Sequence, residues 1–513
     1  MTVTAPDRRQ SSLLQPESSL LRQQFPQHDA IVLIPEALAR KHTAIPVVIR
    51  GGTLLVAMAN PGDIIALGAL AAQCRMRVEP HPASPKEISE AIDLNYKAYD
   101  EIEKKVSSIS FPDNTTEGPS RFGNVADAPI AQALTLILTE AAKARASDIH
   151  FQPQEDRLQV RYRVDGTLHN VLSLPYQMAT PLISRIKIMA NMNIADHHRT
   201  QDGQFSFDTR GRTLGIRVGT IPTVYGEMAV LRLLDKSRAN LDLSELGFMP
   251  ENLEQYQKML RVPYGMLLVS GPTGAGKTTT LYASLNCLNN TEQNIITIED
   301  PVEYHFDNIN QIQVNSRAGL DFSSGLRAIL RLDPDVILVG EIRDAETAQI
   351  AIQGALTGHL VLSSIHANDA VSVVSRLMDL DVEPFLVSTA LIGIVAQRMV
   401  RRVCSYCAQP ATATAIEQMV YTQAMGEEKT EFLYGNGCQA CSNTGYQGRT
   451  GIFELLHVTD DMRAMMLCGA DISELHNRAV ESGMVPLVKD GMLKAREGIT
   501  TPAEVLRNVH LTE

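Results

Sequence analysis

The chain is short of positive charge. Its 46 Lys and Arg face 58 Asp and Glu, a formal net charge of -12 over 513 residues. Proteins that track nucleic-acid phosphates are usually basic, so composition gives no general support for nucleic-acid binding. Long hydrophobic runs are missing too. The most apolar stretch, Phe385 to Val395, is interrupted by Ser388 and Thr389 and runs into Gln397 and Arg398, so no transmembrane segment is expected. The first residues, MTVTAPDRRQSS, have no apolar core followed by a cleavage site, and no secretory signal is expected. Cysteine is scarce. Of seven, Cys74, Cys287 and Cys468 stand alone, and four form two Cys-x-x-Cys pairs. In a reducing compartment such pairs speak for metal or redox chemistry over a disulfide framework. No fixed-period repeat is present. What remains, with 44% apolar and 20% charged residues, reads as a cytoplasmic globular protein long enough for about three or four domains.

Residues 1–28 are rich in Ser, Gln and Arg with little periodicity and are expected to be disordered. Residues 29–97 read as a small α/β module. Pro35 suits the first turn of a helix reaching about His42. Pro46 to Arg50 and Thr53 to Met58 form a hairpin about Gly51-Gly52, and a helix near Pro85 to Tyr96 ends the module. Residues 98–124 carry Lys104-Lys105, a Ser cluster and a Pro/Asn/Thr/Gly stretch, and read as a linker. A second, α+β domain is placed at 125–240. It opens with helical spacing over Ile130 to Ala144. Leu158, Val160, Tyr162 and Val164 then alternate with Arg157, Gln159, Arg161 and Arg163, a half-buried strand closed by an Asp165-Gly166 turn. Leu214, Ile216 and Val218 repeat the pattern with Arg217 opposite, and Met228 to Leu234 reads as a strand carrying Arg232. From about 241, apolar strands (Met266–Val269, Ile295–Ile298, Val336–Val339, Leu360–Leu362) alternate with helical stretches, the pattern of a mostly parallel, helix-covered sheet.

The strongest chemical signal is Gly271-Pro272-Thr273-Gly274-Ala275-Gly276-Lys277-Thr278, which fits G-x-x-x-x-G-K-[ST] between a buried strand and a helix that continues through Thr279. Glycines let the backbone wrap phosphates with its N–H groups inward, and the helix N-terminus adds positive potential. Lys277 reaches the β- and γ-phosphates and the Thr278 hydroxyl ligates Mg²⁺ in such loops. The competing reading is a chance match in a Gly-rich turn, which the flanking strand and helix disfavour. Hydrolysis needs more than a phosphate cradle. Val336-Ile-Leu-Val-Gly340-Glu341 delivers a carboxylate at a strand's C-terminal end, where ligands sit in such sheets, so Glu341 is the candidate to orient and polarise water. Glu299, Asp300 and Glu303 follow a second strand toward the same edge. A single carboxylate at a strand end is usually a solvated loop residue; two such groups beside this loop reverse that reading. His359 and His366 flank a third strand. A lone His is more often structural, but both are placed near the γ-phosphate, His366 because it follows the strand.

Cys404-x-x-Cys407 and Cys438-x-x-Cys441, 30 residues apart, form the pattern of a closed, structural Cys₄ zinc site. The alternatives are two unrelated pairs or a redox pair. The gap exceeds ordinary ribbon spacing, so the intervening segment is expected to make its own excursion. Arg398, Arg401 and Arg402 next to it read either as a solvated face or as a contact for an acidic partner.

These residues together resemble the ATPases of type II secretion systems and type IV pili, over roughly residues 30–513. The motifs that carry the resemblance are SDIHFQP (147–153), GPTGAGKTTTLYA, TIEDPVEY, LDPDVILVGEIRDAETA, GHLVLSSIHANDA and the four cysteines. It implies a RecA-like ATPase core at 241–398, an inserted zinc module at 399–447, a helical C-terminal subdomain at 448–513 and a PAS-like, arginine-bearing second domain. It further implies a homohexamer peripheral to the inner membrane, with ATP bound between the second and third domains. Glu299, Asp300 and Glu303 match the family's acidic box, Glu341 its Walker B glutamate, and His359 and His366 its histidine box. Arg217 and Arg232 match by context the arginines that close over the phosphates, where positive charge stabilises the transferring phosphoryl group. The N-terminal module would bind the cytoplasmic domain of an inner-membrane protein, and the motor would act on a polytopic platform protein. Retraction motors of this kind typically lack the Cys₄ module, which favours an assembly motor. Residues 1–30 lack the helical motif with which some members bind cyclic-di-GMP, so that ligand is not expected. His197, His198 and Thr200 depart from the family's usual residues before Gln201-Asp202-Gly203.

The function expected is therefore ATP hydrolysis, with Mg²⁺ and a structural Zn²⁺, powering assembly of a pilus or pseudopilus. Two alternatives stand beside it. One is the motor of a competence or DNA-uptake pseudopilus. The other is a nucleotide-dependent scaffold with little turnover, against which Glu341, the acidic box and the histidines argue.

Overall fold

A computed structural model describes residues 21, 26, 28–31, 33–96, 127–209, 212–235, 242–441 and 444–509. The expected disordered stretch 1–28 lies, but for Leu21, Pro26 and His28, outside these residues, and the expected linker 98–124 lies wholly outside them. The chain falls into two compact units, divided after Arg145.

The first unit is built on strands β1 (Ala44–Arg50), β2 (Thr53–Met58) and β3 (Arg77–Pro82), in that order. β1 and β2 form the expected hairpin, with Arg50 opposite Thr53. Gly51 and Gly52 turn it at φ 54° and 78°, which a two-residue turn matching strand twist requires at both positions. β3 returns parallel to β2 after the crossover helix Ile64–Cys74, capped by the Asp63 carboxylate on the N–H groups of Ile65 and Ala66. Neither element is legible by periodicity. The helix buries only Ala66, Leu70 and Cys74 while Ile64 and Ile65 face outward, and β3 carries Pro80 and Pro82, tolerable because it is an edge strand. Helix Pro85–Asn95 starts in a Ser84/Glu87 capping box. Helix Asp127–Lys143, expected to open the second domain, joins this first unit: Lys143 is buried between Glu140 and Glu36 and donates to the Tyr96 carbonyl.

The second unit holds two main sheets. The first is antiparallel, made of β4 (Asp148–Pro153), β5 (Arg157–Val164), β6 (Thr167–Pro175), β7 (Gln201–Thr209), β8 (Arg212–Thr223) and β9 (Gly226–Asp235), ordered β6-β5-β4-β9-β8-β7. β5 buries Leu158, Val160 and Tyr162 as its alternation predicts. Asp165 and Gly166 turn it into β6 with both φ positive. Helix Ala179–Met189 covers the apolar face with Leu182, Ile183 and Ile186. His197, one of the departures before Gln201, pairs with Glu227, which also holds the buried Lys187.

The other sheet has seven strands. Along the chain come β10 (Gly265–Ser270), β11 (Ile295–Glu299), β12 (Ile309–Gln313), β13 (Val336–Val339), β14 (Leu360–Ile365) and β15 (Leu391–Val403). β16 (Ala408–Thr412) and β17 (Glu431–Gly435) pair separately, and β18 (Tyr446–His457) rejoins the large sheet. Its order is β12-β11-β13-β14-β10-β15-β18, parallel throughout except β15 against β18. β10, β13 and β14 are buried at every residue, as a sheet covered on both faces demands. This is the RecA-like core. The apolar run 385–395 becomes helix Pro384–Ala390 and the start of β15. No helix among the described residues is long and apolar enough to cross a membrane. Helices Asp460–Leu467, Ile472–Glu481, Leu487–Arg496 and Pro502–Asn508 close the chain.

Candidate functional site

β10 delivers the glycine loop to the C-terminal edge of the parallel sheet. Gly271, Gly274 and Gly276 take φ of 147°, 81° and 91°, and Gly276 leads directly into helix Lys277–Leu288. The loop opens on a cavity of about 480 Å³. Lys277 and Thr278 line it from the loop side, Asp300, Glu303 and Glu341 from neighbouring strand ends, and His366 from the end of β14. Lys277 Nζ donates to the carbonyls of Gly271 and Pro272 at 2.7 and 3.3 Å. Burial, aided by the nearby Arg398 charge, pulls its pKa below the ordinary lysine value, while Glu341 opposes the shift. An anion in the cleft restores the charged form.

Glu341 follows β13 by two residues and its side chain is 17% exposed. One oxygen pairs with Arg343, and the other lies 3.6 Å from His366 Nε2. Burial pushes its pKa upward, but Arg343, His366 and Lys277 outweigh burial and hold it below the ordinary glutamate value. Such a carboxylate stays ionised, suited to orienting and polarising water rather than to holding a proton.

Glu299 lines the cavity but is buried, and its oxygens are already engaged. Tyr282 donates to one; Thr297 Oγ1 and Gln311 Nε2 donate to the other at 2.7 and 3.2 Å. The Tyr282 hydroxyl in turn accepts the Glu303 N–H at 3.1 Å. Glu299 therefore anchors the acidic loop, leaving Asp300 and Glu303 as the side chains with reach. Arg217, midway along β8, bonds Glu303 Oε1 and the Val302 carbonyl, each at 3.0 Å, so the antiparallel sheet touches this loop directly. Arg232, its cross-strand partner, instead bonds Asp148 at 3.0 Å and does not line the cavity.

His359 is not brought to the cleft. It precedes β14, at the opposite edge of the sheet from the loop, with Nδ1 2.9 Å from the Gly354 carbonyl. A strand of six residues separates it from His366, about 20 Å at the usual rise. Two arginines that sequence reasoning missed do line the cavity: Arg343 and Arg449. Arg343 stands two residues beyond Glu341, so the signal was adjacent. Arg449 carried none; it starts near the exit of the four-cysteine segment, and Asp165 of the β5–β6 turn faces it at 3.7 Å while accepting the Gly448 N–H at 2.7 Å.

The four cysteines converge. Their sulfurs all lie within 4.8 Å of one another, with Cys404–Cys438, Cys407–Cys441 and Cys438–Cys441 at 3.8, 3.9 and 3.7 Å. A tetrahedron of ~2.3 Å Zn–S bonds has edges of about 3.8 Å, so the donor set fits zinc. Burial disfavours the Cys441 thiolate, but N–H groups of Cys438 and Gly445 outweigh it and lower that pKa. Between the knuckles, β16, helix Ala415–Met425 and β17 form the expected excursion. The neighbouring arginines do not form one free surface. Arg398 is buried against the Gln397 and Asn368 carbonyls, and Arg401 grips Glu504 beside the Tyr446 ring; of the three, only Arg402 is exposed.

Comparison with known proteins bears on the cleft and the cysteine site together. Residues 124–507 match the model of the type II/IV secretion system protein family. The chain belongs to that family. Residues 20–101 also match the MshEN domain. The type IV pilus assembly ATPase PilB of Myxococcus xanthus is 41% identical over 490 residues, 94% of this chain and 86% of that one. Type II secretion system protein E of Klebsiella pneumoniae is 49% identical over 383 residues, 74% of this chain and 76% of that one. The crystal structure of the pilus retraction motor PilT with ADP superposes with a TM-score of 0.51 at 25% identity, covering 73% of this chain and 96% of that one. Membership in the secretion family accounts for the long motifs around the cleft. It does not by itself place the arginines, which the fold positions one by one.

Proposed function

We propose that this chain is a cytoplasmic motor ATPase that powers assembly of a pilus or pseudopilus, working as a homohexamer held at the inner membrane by partners. The observation that carries this reading is the meeting of Lys277, Thr278, Asp300, Glu341 and His366 around one cavity, in a chain of the secretion family. Lys277 and the loop N–H groups bind the β- and γ-phosphates, while Thr278 with Asp300 and Glu303 serves Mg²⁺. Glu341 orients the water and His366 faces the γ-phosphate. Arg217 exchanges Glu303 for phosphate as the cleft closes, and Arg232 stands opposite it on the neighbouring strand β9. Glu299 supports the acidic loop from behind. His359 is given no part at the phosphates.

Cys404, Cys407, Cys438 and Cys441 would hold Zn²⁺, which supplies a closed cross-link between the two knuckles and no reaction chemistry. The module favours assembly over retraction. The N-terminal unit docks on the cytoplasmic domain of an inner-membrane protein, and the work is delivered to a polytopic platform protein.

Glu341→Gln is the deciding variant. It should keep nucleotide affinity and lose turnover, measured as phosphate release by the purified protein; undiminished release refutes the water-orienting role. Metal analysis of protein prepared without chelators should give about one zinc per chain, and clearly less counts against the Cys₄ assignment.

A further inference from the structure

Gln397 stands where the apolar run of β15 turns polar. β15 runs beside β10, and Ser270, the last residue before the loop, pairs with Ala396. This places Gln397 directly behind the phosphate-binding loop. Its side chain is buried, and both ends of its amide are used. Nε2 donates to the Ala275 carbonyl at 2.7 Å, and Oε1 accepts from Thr280 Oγ1 at 2.8 Å. Ala275 lies inside the loop and Thr280 in the first turn of the following helix, so one planar group ties the loop to its helix.

Gln397 also shapes the loop's glycines. A Cβ on Gly271 would stand 2.6 Å from the Gln397 carbonyl oxygen, and one on Gly276 would stand 3.2 Å from Nε2. The carbonyl at 2.6 Å excludes any side chain at 271, because backbone cannot move aside cheaply. Loop positions 271, 275 and 276 and helix position 280 thus all meet this one residue. Yet Gln397 is not among the residues that line the cavity.

We propose that Gln397 is a positioning residue for nucleotide binding: it fixes the loop backbone in its phosphate-accepting form without touching the nucleotide. The inference rests on the cavity being the ATP site. A rigid amide brace is useful because wrapping a phosphate needs several N–H groups aimed at once, and a loop that must be ordered on binding gives up affinity. Its chemistry is specific. Glutamate at 397 still accepts from Thr280 but repels the Ala275 carbonyl, and leucine satisfies neither partner.

Three purified full-length variants test this by equilibrium binding of a fluorescent ATP analogue with Mg²⁺ and by steady-state turnover. Gln397→Leu and Gln397→Glu should each weaken binding and raise KM about tenfold or more, with kcat changed far less. Thr280→Val removes only one arm of the brace, is nearly isosteric, and should weaken binding about three- to tenfold. It decides the matter if the Gln397 variants do not fold. Combined with Gln397→Leu it should add almost nothing, because both remove the same bond. Unchanged affinity in the folded variants overturns the positioning role, as does a loss confined to kcat. Failure of the unaltered protein to bind the analogue overturns the ATP-site reading itself, a result separable from either of these.

Discussion

The two sheets of the second unit offer functional side chains in different places. In the antiparallel sheet one face is covered by helix Ala179–Met189 and the other carries charge, so β8 can present Arg217 from mid-strand. In the parallel sheet both faces are covered. β10, β13 and β14 are buried along their whole length and admit only apolar groups and hydrogen-bonded serines such as Ser270, Ser363 and Ser364. Charge is excluded from these strands by the cost of burying it unpaired. It appears where they end: Lys277 beyond β10, Glu299 closing β11, Glu341 beyond β13, His366 beyond β14. The lesson is that a residue's value at this cleft depends on face in one sheet and on strand end in the other.

Substitutions can sharpen or break that contrast. The largest effect belongs to the end of β10 in the parallel sheet: Lys277→Ala should abolish measurable nucleotide binding and cut turnover about 10³-fold or more. Next comes the face of the antiparallel sheet. Arg217→Ala should lower kcat about 10²-fold, whereas Arg232→Ala, 62% exposed and committed to Asp148, should lower it less than about tenfold. Equal losses from the two arginines, read by steady-state kinetics, would show that cleft closure brings both to the phosphates. The smallest effect tests the strand-end rule. His359→Ala should change turnover less than about twofold, as for surface sites away from the chemistry, while His366→Ala should cost at least about tenfold. A His359 variant as impaired as the His366 variant breaks the rule.

Much of this was readable beforehand. The β5 alternation, the Gly51-Gly52 hairpin, the buried strands and the glycine loop are all local patterns, and local patterns survive in the sequence. The crossover helix Ile64–Cys74 escaped because its first turn exposes Ile64 and Ile65, leaving no amphipathic stripe. At the site, residue types were legible and their allegiances were not. Glu299 read as one of three acidic groups reaching the cleft edge, a catalytic candidate, yet Tyr282, Thr297 and Gln311 occupy its oxygens. Arg398 and Arg401 read as a solvated face or a contact for an acidic partner, yet one packs on backbone carbonyls behind the loop and the other on Glu504. Arg449 is separated from the loop by more than 170 residues, and no spacing rule spans that distance.

By itself the sequence determined the family, the phosphate loop and the four-cysteine donor set. Each rests on short motifs (the glycine loop, the two Cys-x-x-Cys knuckles and the runs around the cleft) whose residue types and spacing are readable locally. The tertiary structure alone decided which charged groups face the cleft. That depends on strand order and strand direction: β14 lies beside β10 and β13 beside β14, which brings His366 and Glu341 to Lys277, while the same parallel direction carries His359 to the far edge. It also decided that Gln397, read at first only as the residue ending an apolar run, would stand behind the loop. Strand pairing between β10 and β15 put it there, and pairing over such distances is a property of the folded sheet.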